Sequence, residues 1–326
     1  MLCIYNHSTD SYFNLAAEEY LLKTFDQDIF MLWRNHNSII VGKHQNTLAE
    51  INYEFVRENQ IKVVRRLSGG GTVFHDLGNL NFTFIQKGDG ERLVDFRKYT
   101  QPILEVLLSM GIEARFEGRN DLTIDGRKFS GNAEHVFKDR ILHHGTLLFA
   151  SEIADLTAAL KVNPNKFKDK AVKSVRSRVT NISEHLQSPM DIAEFTQRVM
   201  DHVTSSRSDS RSYTLSPADE EAIRELVRSK YSTWEWNFGY SPRYNFSREF
   251  SSAGGHIEVT LDVRDGFIRD ARIFGDFFNM KDTGEFEQQL IGQAHDYKQL
   301  SQFLDGIDVG EYIRGCTTAE FLEGIF

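Results

Sequence analysis

The residues best equipped for chemistry lie in three stretches. The first is Arg65-Arg66-Leu67-Ser68-Gly69-Gly70-Gly71-Thr72-Val73-Phe74-His75-Asp76. A glycine loses more backbone freedom on folding than any other residue, so a triplet between strand-like runs suits a loop that passes close to a ligand or turns several N–H groups toward an anion. Arg65 and Arg66 add positive charge beside it. The plainer alternative is a tight glycine turn with two solvated arginines. No Gly-Lys-Ser/Thr follows, so this is not a P-loop, and it is not a dinucleotide fingerprint either.

The second stretch is Gly118-Arg119-Asn120-Asp121-Leu122, followed by Lys128-Phe129-Ser130-Gly131-Asn132-Ala133. Asp121 enters a strand and Lys128 leaves a hairpin turn, so both can face one cleft. There an aspartate can hold a magnesium ion and a lysine a phosphate or carbonyl oxygen. A cross-strand ion pair on a solvated face explains the same spacing equally well. The third stretch, Lys161 to Arg178, gathers Lys161, Lys166, Lys168, Lys170, Lys173, Arg176 and Arg178 against Asp169 alone, a local reversal of sign in an acidic chain. It suits a nucleotide phosphate, an acidic partner or simply a solvated face. His143-His144 has no H-E-x-x-H or Cys/His cluster beside it. The cysteines, Cys3 and Cys316, leave the interior of the sequence without the thiol a thioester-forming acyltransferase needs.

These stretches must be held by mixed elements. Asn14–Phe25 reads as an amphipathic helix with Leu15, Leu22 and Phe25 set among Glu18, Glu19 and Lys23. Ile29–Arg34, Ser38–Lys43 and Lys62–Leu67 read as strands, with a helical stretch around Tyr53–Asn59. Leu80, Phe82 and Phe84 alternate with Asn81, Thr83 and Ile85, which predicts one apolar and one mixed face. Thr100–Met110 predicts a helix stopped by Gly111. Asp125-Gly126 predicts a tight hairpin between Leu122–Ile124 and Arg127–Ser130. His143–Phe149 is a strand candidate, and Ile192, Phe195, Val199 and Val203 mark a helix. A second hairpin turns at Asp265-Gly266 between Ile257–Val263 and Phe267–Phe274. Glu285–Leu300 and Ala319–Phe326 read as helical, and the polar segment Gly239–Arg248 as a domain boundary.

At 326 residues, two domains are expected. Without regular βαβ spacing the class is α+β rather than a doubly wound sheet. An apolar share of 40 % with 26 % charged residues is ordinary globular composition, and a net charge of −9 argues against general nucleic-acid binding. No signal peptide, no membrane-spanning run and sparse cysteine together predict a soluble cytoplasmic protein.

In order, Arg65–Asp76 with Gly78-Asn79, Gly118–Leu122, Lys128–Ala133, His143–Leu148, Ser174–Asn181 and Trp234–Gly239 resemble the motifs of lipoate–protein ligases, in the two-domain form with a C-terminal accessory domain. The departures are small: Thr72 where alanine is common, and Asn132 where serine or threonine also occurs. The resemblance implies a biotin/lipoate-ligase-like catalytic domain over 1–240, a mixed sheet flanked by helices, and a small α+β accessory domain over 241–326. It implies that lipoate and ATP form lipoyl-AMP and pyrophosphate, and that an acceptor lysine then takes the lipoyl group. Lys128 is expected between lipoyl carbonyl and phosphate as the catalytic residue, with Asp121 as magnesium ligand. Arg66, Ser68, Gly70, Gly71, Thr72, Val73, Phe74, Asn79, Gly131, Ala133, His144 and Arg178 are expected to line the substrate and nucleotide sites. The implied partners are lipoyl domains of 2-oxoacid dehydrogenase E2 subunits and the glycine-cleavage H protein, met by a monomer whose C-terminal domain swings between the two steps. The rival readings are a biotin ligase, an ATP-independent lipoyl or octanoyl transferase, and a non-catalytic lipoyl-binding protein.

Overall fold

The alternation at Leu80–Ile85 becomes the middle of a large sheet. The computed structural model of the chain describes residues 1–88, 95–153, 159–160, 167–169 and 179–326. Its strands are β1 (Leu2–Asn6), β2 (Ile29–Trp33), β3 (Ser38–Val41), β4 (Lys62–Arg65), β5 (Val73–His75), β6 (Asn79–Lys87), β7 (Ala114–Glu117), β8 (Asp121–Ile124), β9 (Arg127–Phe137), β10 (Arg140–Leu148), β11 (Phe167–Asp169), β12 (Arg211–Ser212), β13 (Tyr244–Ser252), β14 (Gly255–Arg264) and β15 (Phe267–Gly275). The chain divides into two compact units: 1–43, 61–158 and 174–233 form one, and 44–60, 159–173 and 234–326 the other.

In the first unit the strand order among the described residues is β12-β1-β2-β6-β10-β9-β8-β7, and β4-β3-β5 form a smaller sheet. The pairs β12–β1–β2 are parallel and the rest of the large sheet antiparallel, so it is mixed, as expected. Phe82 and Phe84 lie on its back face within a core that also holds Tyr99, Ile103, Leu107, Phe195 and Val199 from the helices Phe96–Ser109 and Ile192–Ser205. The front face carries Asn81 and Thr83 and is covered by the helix Ser11–Thr24.

That helix departs from expectation. Glu18 and Glu19 are not its solvated side; they are 2 % and 3 % exposed. Glu19 is sustained by Lys23 at 2.6 Å, Lys230 at 2.7 Å and the Tyr231 hydroxyl at 2.7 Å. A buried carboxylate is tolerable with such partners. The helix at 96–109 begins a turn earlier than expected: Asp95 caps it through the Lys98 amide, and Pro102 sits inside it. Between β9 and β10 the chain turns at Lys138, which takes a φ of 55°.

The second unit has an antiparallel sheet β11-β13-β14-β15, and the end of the polar stretch, from Tyr244 on, is part of the strand Tyr244–Ser252. Against it pack Phe286, Leu290, Leu300, Leu304 and Phe321. The expected single helix over 285–300 is two, Thr283–Leu290 and Tyr297–Leu304. Gly292 at φ +88° ends the first, and Asp296 caps the second through the Gln299 amide. No helix among the described residues is long and apolar enough to cross a membrane.

Candidate active site

Register decides what shares a face. On β10, His144 is paired with Ala133 of β9 and with Thr83 of β6. Thr146, two residues on, takes the Gly131 amide at 3.1 Å. Thr83, Ala133, Gly131, His144 and Thr146 therefore lie on the front face, while His143 lies behind.

The glycine loop meets this face through Ser68, whose Oγ is 2.6 Å from His144 Nε2. Neither flanking arginine is solvated, because each guanidinium is surrounded by backbone carbonyls. Arg65 donates to the carbonyls of Gly42 and Lys43 at 3.0 and 3.1 Å. Arg66 donates through Nε to Ser68 Oγ at 3.0 Å, through Nη1 to the Ile40 carbonyl at 3.1 Å, and through Nη2 to the carbonyls of Gly69 and Gly71, both at 2.7 Å. Burial pushes its pKa down to about 10, opposed by the charge of Glu18, so it is still a cation at neutral pH. Gly70 explains one glycine: its φ is +91°, and a Cβ there would lie 3.1 Å from Arg66 Nη2.

The contact at Ser68 continues inward. Arg66 Nε–H is donated to Ser68 Oγ, leaving the serine proton for His144 Nε2. His144 Nδ1–H then faces both Glu18 oxygens, at 2.9 and 3.0 Å. Glu18 also accepts from Thr83 Oγ1 at 2.6 Å, and Thr83 accepts from Trp33 Nε1 at 2.9 Å. Nearby, His75 Nδ1 accepts from Asn35 at 3.1 Å, while its buried Nε2 has no hydrogen-bond partner among the described residues. Burial first, then the charge of Arg66, pushes the pKa of His75 down to about 3, so the ring stays neutral. Trp33, Thr83 and Glu18 were not expected here. The polar side of the β6 alternation was the one trace of them in the sequence.

The Asp125-Gly126 turn forms as expected, with φ of 51° and 71°. It brings Lys128 Nζ to 2.8 Å from Asp121 Oδ1, with the side chains 27 % and 31 % exposed. Gly131 makes this possible: a Cβ there would lie 3.1 Å from both Cε and Nζ of Lys128, so the lysine lies over a bare strand on the front face. The Thr180 amide donates to the Lys128 carbonyl at 2.9 Å, and Val179 bridges to Lys128, bringing the end of the 174–181 motif to the lysine. Arg178 and the basic run 161–178 lie outside the described residues, apart from the backbone of 167–169.

Of the other expected residues, Thr72 and Phe74 are buried, and Val73 and Ala133 are half-buried. Asn79 is fully buried against Asn81, with its Nδ2 2.9 Å from Asn81 Oδ1. No cluster of three His, Cys, Asp or Glu side chains that could hold a metal occurs among the described residues. A lone, partly open carboxylate such as Asp121 does fit magnesium whose remaining ligands are phosphate oxygens and water.

Comparison with known proteins gives this arrangement its relatives. Residues 10–204 match the lipoyl protein ligase A/B catalytic domain and residues 241–325 the bacterial lipoate protein ligase C-terminus. Lipoate-protein ligase LplJ of Bacillus subtilis is 43 % identical over 100 % of both chains. A bipartite lipoate protein ligase of Thermoplasma acidophilum, described together with its E2 lipoyl domain, superposes with a TM-score of 0.64 at 27 % identity, over 73 % of this chain and 96 % of its own. A lipoate-protein ligase A bound with ATP gives 0.63 at 26 % identity, over 73 % and 98 %. With a glycine loop locked by Arg66, a lysine–aspartate hairpin beside it and matches along nearly the whole length, this chain belongs to the lipoyl protein ligase A/B family and carries that family's bacterial C-terminal domain.

Proposed function

We propose that this protein is an ATP-dependent lipoate–protein ligase working in two half-reactions. The lipoate carboxylate attacks the α-phosphorus of ATP, and pyrophosphate leaves. The amine of an acceptor lysine then attacks the carbonyl of the mixed anhydride, and AMP leaves. The observation that carries this reading is Lys128, held over Gly131 on the face that also receives the glycine loop. A cation there meets the charge that builds on phosphate and carbonyl oxygens in both steps.

The remaining roles are assigned on the same footing. The Gly69–Gly71 loop, with Thr72, Val73 and Phe74, borders the acyl chain and offers amides to the nucleotide. Ser68, Asn79, Ala133 and His144 border the same site. Arg66 shapes the loop through its carbonyls and is near enough to the loop amides to favour an anion bound there. Arg178, with the motif Ser174–Asn181, is assigned to the adenylate, where excluding water protects the anhydride. Asp121, which also pairs with Lys128, would hold magnesium, which when bound neutralises phosphate charge. Residues 1–240 carry this chemistry and 241–326 are accessory. The acceptors are lipoyl domains of 2-oxoacid dehydrogenase E2 subunits and the glycine-cleavage H protein, met by a cytoplasmic monomer.

The test is ATP–pyrophosphate exchange with magnesium and no acceptor, run with lipoate and with octanoate and biotin as competitors. Exchange driven by lipoate and not by biotin is the expected result. Absence of exchange with every acid, together with ATP-independent transfer from a carrier-bound acyl group, would overturn the reading.

A further inference from the structure

Directly behind Lys128 and Gly131, on the back face of β9 and β10, lies a second hydrogen-bonded line. Glu134 Oε1 is 2.9 Å from His143 Nδ1, and His143 Nε2 is 3.2 Å from Asn132 Oδ1. Asn132 turns its Nδ2 to the Asn120 carbonyl at 3.1 Å and to Ser130 Oγ at 3.2 Å. Asn120 answers through its own Nδ2 to the Asn132 carbonyl at 2.5 Å, and the Asn132 amide donates to the Asn120 carbonyl at 3.0 Å. This clasp joins the residue before Asp121 to the residue after Gly131, and Asp121 and Gly131 are themselves cross-strand partners.

The direction of each bond follows from the asparagine. With its Nδ2 committed to a carbonyl and a hydroxyl, Asn132 can offer His143 only an oxygen, so His143 presents Nε2–H. Its Nδ1 is then a lone pair facing Glu134, which holds the proton between them. Burial raises the Glu134 carboxyl to about 7, opposed by a hydrogen bond to the Asp95 backbone and helped by the Asp95 charge, and burial keeps His143 well below its ordinary value, in keeping with a neutral pair. The ring cannot swing away. It is stacked on Tyr99 at 4.9 Å and Phe82 at 5.8 Å, with Phe96 edge-on at 5.7 Å. Gly145 leaves the space in which Asn132 reaches His143, since a Cβ there would lie 2.2 Å from Asn132 Oδ1.

We propose that His143 is a positioning residue for the ligase reaction: from the back of the sheet it fixes the Asn132 amide, which clasps Asn120 and so sets Asp121 and Lys128 on the front. This rests on the reading of Lys128 given above. Without the Nε2–H donor, the Asn132 oxygen is buried and unpaired, and the amide is driven to rotate. The clasp then loses its fixed orientation, and the 118–121 segment is free to shift against β9. A displacement of about 1 Å at reacting groups can lower a rate by roughly a hundredfold.

The experiment measures lipoate-dependent ATP–pyrophosphate exchange for H143L, H143Q, N132A and K128M alongside the parent protein. H143L keeps an apolar filler but removes the donor; H143Q can place an amide N–H where Nε2 was. N132A removes the side-chain amide that reaches the Asn120 carbonyl and Ser130, and leaves the aromatic stack untouched. Expected are kcat losses of about ten- to a hundredfold in H143L and N132A with the KM for lipoate within about twofold, and recovery of most of the rate in H143Q. Parental kcat in folded N132A overturns the proposal whatever H143L does. So does a loss confined to KM, or an H143Q no better than H143L. K128M separates the two levels: if it exchanges at the parental rate, the reading of Lys128 falls and this inference with it, whereas an inactive K128M beside a fully active N132A sinks this inference alone.

Discussion

Arg66 and Lys128 are both cations that serve the front of one sheet, and they are held in opposite ways. Arg66 is 6 % exposed, with donors on four acceptors of its own chain, three of them loop or strand carbonyls. Lys128 is about a quarter exposed, pairs with one carboxylate and lies across a glycine that gives it room to move. The first is preorganised by hydrogen bonds to its own chain. The second can exchange its partner for a substrate oxygen at little expense, since half-exposed ion pairs contribute only about 0–1 kcal/mol. On the reading proposed for Lys128, what suits a cation to chemistry is not its charge but the bonds it is able to give up.

The contrast is sharpest under mutation. K128M should lower lipoate adenylation by about a thousandfold while unfolding within about 1 kcal/mol of the parent in urea. Comparable losses of activity and stability in K128M would erase the distinction. R66M should do the reverse: it strips buried carbonyls and Ser68 of their donor and should destabilise the protein by about 3–5 kcal/mol, read as a lowered urea midpoint. A fully stable R66M would mean that the loop is not held by this residue. G131A tests the room given to Lys128. The new Cβ would press on its Cε and Nζ, and adenylation should fall about tenfold with stability nearly unchanged.

The smallest effect concerns the back face. Folded Glu134 keeps its proton to about pH 7, whereas an ordinary glutamate releases it near 4.5. The native state therefore binds the extra proton between these values, and stability falls as pH rises through that window. E134Q cannot ionise and should show no such slope. It should be more stable than the parent by about 1–2 kcal/mol at pH 8, with the gap closing at pH 5, in urea melts at the two values. A gap independent of pH would remove the neutral glutamic acid from the relay.

How much of this was legible in the sequence depended on whether the signal was local. Asp125-Gly126 announced its hairpin because positive φ is a property of those two residues, and with the hairpin came the meeting of Asp121 and Lys128. The glycine triplet announced a special loop, but its flanking arginines read as charge offered to an anion or to solvent, because nothing local reveals the carbonyls of Ile40, Gly42 and Lys43 that surround them. Glu18 and Glu19 were misread for the same reason. Their spacing beside Lys23 is that of a solvated helix side, and only the sheet on one flank and Lys230 with Tyr231 on the other turn both acids inward. The break at Gly292 was missed because apolar spacing on its two sides stays in helical phase.

His143 and His144 also set how this region can tolerate change. Because neighbouring strand residues alternate faces, the back-face relay and the front-face line to Glu18 are kept apart by one step of register. Substitutions in the exposed Lys138-Asp139 turn leave that step intact. A single-residue deletion there that shifts β10 by one step would bring His144 into the aromatic stack and Gly145, which has no side chain, opposite Ser68. Length in this short turn is under tighter constraint than the identity of any residue within it.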